Sequence, residues 1–432
     1  MKRKITESLL DWKGKPHGRM PLLVYGARQV GKTHTVRKLG EQHYRNTAYF
    51  NLETNQTVAG YFADNIEPER ILRFLEIESK ERIVPGDTLI IFDEIQSCPR
   101  ALTSLKYFNE QKPEYHIIGA GSLLGVAINR ERQSFPVGNV DSMTMFPLDF
   151  EEYLWALDER PLCEEIKQAF DSDEALPAGM HEKALDLYRQ YLIIGGMPKA
   201  ILEFAETGSL LTVPDVQNRI INDYIADMAK YATNADSVRI RAAYNSIPMQ
   251  LAKENKKFQY KLAQKGGTAA IFGEALDWLE FAGIVLKCRR VEHGMMPVSV
   301  YSDLASFKLY MGDVGLLTMK SGISQASVLA AGEIENRFLG AMAENLVAQA
   351  LARKGYGLYY WATDGTAELD FVLQKGNDII AVEVKAGKRT KSRSLNLFVE
   401  KYRPAYSIRV SSKNFGFENN IKSVPLYAAF CI

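Results

Sequence analysis

Several features are scarce in this chain, and each scarcity excludes something. There are only four cysteines, Cys98, Cys163, Cys288 and Cys431, far apart and with no C-x-x-C pair. That spacing argues against a zinc site and against a disulfide framework. No apolar run reaches the roughly 18 residues a membrane helix requires, so no membrane partner is expected. Behind the basic start Met1-Lys2-Arg3-Lys4 stands no apolar segment, so no secretory signal is expected and a reducing, cytoplasmic setting is. With 53 basic and 52 acidic residues the net charge is only +1, and any affinity for nucleic acid must come from local patches. Neither a Ser-His-Asp arrangement nor an H-E-x-x-H motif is present to suggest hydrolysis of those kinds.

What is present is an ordinary globular composition, 46% hydrophobic and 24% charged. At 432 residues the chain is too long for one core, and length suggests about three domains. Its most informative stretch is Gly26-Ala27-Arg28-Gln29-Val30-Gly31-Lys32-Thr33, a full G-x-x-x-x-G-K-[ST] match. The preceding Pro21–Tyr25 run reads as a buried strand, and Thr33 to Gly40 as the first turns of a helix. A strand, a glycine-rich turn and a helix N-terminus aim backbone N–H groups and a helix dipole at one point, which suits a polyphosphate. Lys32 is expected at the β- and γ-phosphates of ATP and the Thr33 hydroxyl on Mg2+.

Tyr49–Glu53 reads as a second strand, followed by a helical pattern from Pro68 to Lys80. Thr88–Phe92 is a continuous apolar run closed by Asp93 and Glu94, as a strand buried on both faces of a parallel sheet would be. Ligands of such sheets bind at the strands' C-terminal ends. Asp93 is therefore expected to hold the magnesium shell and Glu94 to polarise the attacking water. His116–Ser122 reads as another buried strand ending in a small polar residue, and Arg130 and Arg132 follow as candidates to stabilise transferring phosphoryl charge.

Together, Gly-Ala-Arg-Gln-Val-Gly-Lys-Thr, the Ile91-Phe92-Asp93-Glu94-Ile95-Gln96 box and the Phe135-to-Tyr153 stretch resemble a large family of bacterial and archaeal AAA-type ATPases with a C-terminal region of unknown function. Tyr191–Pro198 and Phe307–Leu317 extend the likeness into that region. The resemblance implies a P-loop parallel-sheet core, a helical lid and a sensor role for Ser122. Where the family often has a basic residue after its Pro-x-Gly turn, this chain has Asn139, which weakens a finger-like role for that loop.

From Glu151 to Ala235 the pattern is helical, broken at Pro161, Ala178-Gly179 and Gly195-Gly196; the last pair reads either as a hinge or as a close helix contact. Helices then lead to an expected hairpin, Ile284–Arg289 and Pro297–Tyr301 around Gly294, which together resemble a winged helix. Arg239, Arg241, Lys253, Lys256, Lys257, Lys261 and Lys265 form a basic cluster there, while Glu274, Asp277 and Glu280 would repel phosphates; DNA and protein partners are both candidates.

Asn336 to Lys354 reads as an amphipathic helix interrupted by Glu344. Glu368–Gln374 and Ile379–Lys385 read as strands of a hairpin turning at Gly376-Asn377, a register that sets Asp370 opposite Glu383. Facing carboxylates repel, and a divalent cation removes that objection. Glu344, Asp370 and Glu383-x-Lys385 resemble the PD-(D/E)xK nuclease superfamily. That resemblance implies metal ligands at Glu344, Asp370 and Glu383 and a catalytic cation at Lys385. Lys388, Arg389, Lys391, Arg393, Lys401, Arg403, Arg409 and Lys413 make the region after it locally basic, as for a nucleic-acid backbone.

The expectation is thus an α/β chain: ATPase core 1–155, helical lid 156–235, winged-helix-like module 236–325 and nuclease-like domain 326–432. ATP turnover would reposition a C-terminal domain on nucleic acid. The rival of a different class is a nucleotide-controlled switch or scaffold for protein partners, with an inactive nuclease-like fold. A DNA translocase and a small-molecule kinase fit less of the chain.

Overall fold

A computed structural model describes the chain except residues 127–135, 137, 231–233, 331–336, 364–366 and 388–392, with Arg337 described by its backbone alone. Arg130, Arg132, Lys388, Arg389 and Lys391 therefore lie outside the described residues. The chain divides into two compact units, Met1–Phe146 with Phe281–Gly283, and Pro147–Glu280 with Ile284–Ile432.

The first unit is built on β1 (Leu22–Tyr25), β2 (Asn46–Asn51), β3 (Thr88–Asp93), β4 (His116–Ala120) and β5 (Asp141–Thr144), all parallel in the order β2-β3-β4-β1-β5. Every residue of β3 and β4 is buried, which is why their centres, Leu89–Phe92 and Ile117–Ala120, read as apolar runs. The helices Pro68–Ser79 and Pro99–Gln111 each start on a proline, whose missing N–H costs nothing at that position. Phe50, Phe62, Phe92, Leu105 and Phe108 belong to one core cluster, with Phe62 edge-on to Phe92 at 5.6 Å between centroids. The edge strand β5 gives no hydrophobic signal, because it alternates half-buried and exposed positions and carries one apolar residue, Met143.

The second unit begins with helices Phe150–Ala156, Arg160–Ser172, Ala178–Ile194, Pro198–Thr207, Val213–Lys230 and Asn234–Leu251. Gly195-Gly196 is a close contact. A Cβ on Gly196 would lie 1.9 Å from the Leu148 carbonyl oxygen, and the Gly196 N–H donates to buried Asp313 at 2.6 Å. Pro161 does not break a helix but sits in the first turn of one.

The remaining strands of this unit are β6 (Val285–Val291), β7 (Ser302–Met311), β8 (Tyr359–Ala362), β9 (Glu368–Leu369), β10 (Phe371–Lys375), β11 (Asp378–Val384), β12 (Ser407–Ser411), β13 (Gly416–Glu418) and β14 (Ile421–Pro425). They form two sheets, β7-β6-β8-β9 and β10-β11-β12-β14-β13. The expected second hairpin strand at Pro297–Tyr301 is instead a 3₁₀ turn, Val298–Tyr301, and pairing with β6 passes to the longer Ser302–Met311. Alternation over five residues does not separate these cases; the ladder forms where six successive residues, Ser306 to Met311, are buried. Because β6 also pairs in parallel with β8, the hairpin is not a free wing, and an expected boundary at 325/326 falls within one shared sheet. The register of β10 with β11 sets Phe371 opposite Val382 and Lys375 opposite Asp378, as the turn chemistry at Gly376-Asn377 requires. Among the described residues no helix is long and apolar enough to cross a membrane.

Candidate functional site: a phosphate loop and a lysine-filled acidic cluster

The loop after β1 takes backbone conformations that only a few residues tolerate. Gly26, Gln29 and Gly31 all have positive φ, at 135°, 66° and 96°. A glycine-rich turn of this kind points its backbone N–H groups to one side, as an anion-binding nest does. Gly26 is also required sterically, since a Cβ there would stand 2.1 Å from the Met145 carbonyl oxygen. Ala27 and Val30 are buried and seat the loop on the core. Arg3 fastens it from behind, donating to the Val30 carbonyl at 2.7 Å and to Phe146 O at 2.6 Å. Nothing in the sequence around Arg3 signalled that role.

Lys32 opens the following helix and is buried, with its Nζ donating to the carbonyls of Gly26 and Ala27 at 2.8 Å each. The Thr33 hydroxyl stands 2.9 and 3.2 Å from the two oxygens of Asp93. Tyr49, from β2, donates its hydroxyl to the same carboxylate at 2.7 Å. Burial and this hydrogen bond push the Tyr49 phenol up to about 12. A hydroxyl and a carboxylate side by side at the edge of an N–H nest are hard oxygen donors, and they fit Mg2+.

Glu94 follows with a left-handed backbone, φ 49°, a conformation that costs a non-glycine residue and recurs at working sites. Its Oε2 accepts from Gln96 Nε2 at 2.5 Å and from the Ser122 hydroxyl at 3.4 Å. Gly121 makes room for Gln96, whose Oε1 would lie 2.0 Å from any Cβ there. Glu94, Gln96 and Ser122 thus form one polar group beside Asp93; Gln96 was visible in the Asp-Glu-Ile-Gln box but had no role assigned to it. Gly283, back in the first unit after a long excursion, packs on the loop so closely that a Cβ would meet Ala27 N at 3.2 Å.

Residues 18–154 match the family described as "AAA domain". They form an AAA-type P-loop domain. Residues 185–327 and 339–429 match two further families, each described as a domain of unknown function (DUF8612 and DUF4143). No curated protein matches the chain. Among solved structures, the Walker-type ATPase of Pyrococcus abyssi is 15% identical and aligns over 74% of this chain and 95% of its own, with a TM-score of 0.45. The ORC2 protein of Aeropyrum pernix is 13% identical over 76% of this chain and 92% of its own, TM-score 0.36. The ORC1 protein of the same organism, in complex with DNA, is 14% identical over 76% and 90%, TM-score 0.29. These likenesses are too distant to carry any ligand or partner across.

Outside the AAA-type domain, the second unit does gather the C-terminal residues singled out by the sequence. Asp370 sits between β9 and β10, where its Oδ2 accepts from Val384 N at 2.7 Å. Burial, then the charges of Glu344 and Glu383, push its carboxyl up to about 8. Lys385 Nζ stands 2.5 Å from Glu383 Oε1. Three further basic groups complete the picture. Lys256 Nζ contacts Glu344 Oε1, Lys308 Nζ lies 2.6 Å from Glu368 Oε1 and 3.9 Å from Glu344 Oε2, and Arg409 neighbours Glu383 in the β11–β12 ladder. Tyr310 donates to Glu344 Oε2 at 3.3 Å. Burial opposes ionisation of Glu344, yet Lys256 and Lys308 hold its carboxyl below the ordinary range.

The metal set Glu344, Asp370 and Glu383 implied by resemblance does not fit this arrangement. Both Glu344 oxygens already have partners, and among the described residues no three His, Cys, Asp or Glu side chains are grouped to hold a metal. One acceptor stays open: Glu383 Oε2 is buried with no hydrogen-bond partner among the described residues. The expected basic cluster is likewise partly engaged, with Lys256 on Glu344 and Lys257 on Ser306 at 2.7 Å, while Arg239 pairs with Asp236 at 3.3 Å on the helix surface.

Proposed function

We propose that this chain is a magnesium-ATP-dependent switch whose second unit serves binding and not phosphodiester cleavage. One observation carries the nucleotide half: Thr33, Asp93 and Tyr49 converge at 2.7–2.9 Å beside a loop with three positive-φ residues. The loop amides of Gly26 to Gly31 and the N-terminus of the Lys32–His43 helix hold the phosphates. Lys32, which caps two loop carbonyls, turns to the β- and γ-phosphates when they enter. Magnesium, when bound, supplies positive charge to the phosphate oxygens, and Thr33 and Asp93 hold its shell. Glu94 accepts a proton from, or orients, the attacking water once released from Gln96 and Ser122. Ser122, two residues beyond β4 and hydrogen-bonded to Glu94, would report on that step.

For the second half, the filled carboxylates of Glu344 favour the switch over the nuclease. Fluorescent ATP-analogue binding, phosphate release and cleavage of single- and double-stranded DNA and RNA by the full chain test the reading together. ATP binding and turnover without cleavage in Mg2+ or Mn2+ is the expected result. Cleavage that disappears in Lys385→Ala would overturn the second half, and unchanged ATP binding in Lys32→Ala the first.

A further inference from the structure

The second unit holds three buried carboxylates, Glu344, Asp370 and Glu383, with the partly exposed Glu368 beside them, and burying such groups is costly unless they are paired. Three lysines are in contact with them: Lys308 from β7, Lys385 just past β11 and Lys256 from the connection after the Asn234–Leu251 helix. They differ in how they are held. Lys308 is completely buried, its ammonium also lying 4.8 Å from the Tyr360 ring, so it is part of the core. Lys256 keeps 17% of its side chain exposed and comes from a segment with no regular structure. Two contacts place that segment over Glu344. Phe258 N donates to Phe307 O at 2.8 Å with the two rings stacked at 5.6 Å, and Lys257 Nζ donates to Ser306 Oγ.

We propose that Lys256 is a tethered cation occupying the place on Glu344 that a divalent metal would need, so that Glu344 is paired and holds no metal while this contact lasts. The claim rests on the reading of the second unit as non-cleaving and is independent of the nucleotide site. A charge fixed on a short tether meets its partner at an effective concentration that free ions do not match. The lysine also removes the electrostatic attraction that would recruit a metal. Lys256 is the member carried by an irregular connection, whereas the Lys385 N–H is fixed on Val410 O; withdrawing that connection would strip Glu344 Oε1 of its ammonium beside Glu383, whose Oε2 has no hydrogen-bond partner among the described residues. Cation affinity of the second unit would then depend on whatever moves residues 252–258.

The test is Mn2+ binding by the full chain without nucleotide, read from the loss of the free Mn2+ paramagnetic resonance signal. Every protein carries Asp93→Asn, which removes the cation site of the first unit. Lys256→Gln should bind Mn2+ at least about tenfold tighter than its parent, the scale of one lost charge partner at a buried carboxylate. Lys256→Arg should behave as the parent, and adding Glu383→Gln to Lys256→Gln should abolish the gain. A parent that binds as tightly as Lys256→Gln, or a variant with no gain, overturns the proposal. Should Lys256→Gln fail to fold, zero-length carbodiimide coupling of the parent decides. A Lys256–Glu344 isopeptide found by mass spectrometry and undiminished by Mn2+ supports the tethered cation, whereas its absence or its loss on adding Mn2+ overturns it. ATP binding that fails in these proteins when Asp93 is restored would instead indict the nucleotide reading.

Discussion

Asp93 receives hydroxyls from two directions, Thr33 on the helix after the phosphate loop and Tyr49 on β2. The tyrosine pins the carboxylate without competing for a phosphate. Tyr49→Phe should therefore weaken nucleotide binding in magnesium by about 1.5 kcal/mol, the low end of the worth of one hydrogen bond to a charged group. Binding in excess chelator should not change, and fluorescence titration of an ATP analogue in both conditions checks the split. Glu94→Gln should retain ATP affinity and lower kcat by roughly 100-fold or more, as loss of a general base does. Steady-state phosphate release beside the same titration separates the two quantities. At this scale the sequence was informative wherever a motif forces chemistry on fixed positions, as with Lys32, Thr33 and Asp93. It was silent on Tyr49 and Arg3, which meet Asp93 and the loop only because the tertiary fold brings them there.

Helix junctions in the second unit depend on one glycine pair and one buried carboxylate. Gly195 has φ 73° and Gly196 meets the Leu148 carbonyl, while Asp313 accepts from the N–H groups of Gly196 and Leu316 at 2.6 and 2.9 Å. Gly196→Ala must displace either Leu148 or the Asp313 hydrogen bond, and a loss of about 3 kcal/mol is expected from overpacking and the broken bond together. Denaturant unfolding of the full chain measures it, with the transition of the second unit followed separately where the two resolve. Asp313 has a further signature. Burial pushes its carboxyl up to about 6, against backbone hydrogen bonds that pull the other way. A raised folded-state value means that the folded chain holds the proton more tightly than the unfolded one. The group's stabilising contribution is complete below the unfolded value near 4 and is lost as pH rises through about 6. The stability of wild type relative to Asp313→Asn should accordingly grow as pH falls from 7 to 5, and urea midpoints across that range test the sign. The bare Gly-Gly pair was readable as a hinge or a contact, and choosing between them needed Leu148 and Asp313, which are 48 and 117 positions away from Gly196.

The first unit is not continuous in sequence: it closes only when Phe281–Gly283 returns to it. Gly125 lies so near Phe281 that a Cβ there would meet its carbonyl oxygen at 2.4 Å, and Gly283 touches the loop at Ala27. A fragment ending at Phe146 lacks both contacts and should bind nucleotide more weakly than the full chain, which side-by-side titration would show.

Local pattern alone determined the parallel-sheet core, the phosphate loop with its acidic strand end, most helices and the register of β10 on β11. Those features rest on backbone geometry and on periodic burial, and both are written in neighbouring residues. Tertiary structure alone decided that β6 pairs with β8, that weakly apolar β5 is a strand, and that Gly195-Gly196 is a contact. It alone decided, too, that Lys256 and Lys308 come to Glu344, one of the carboxylates where a metal was expected. Each of those outcomes turns on a partner far away in sequence, and a charge or a strand edge carries no local mark of what will meet it.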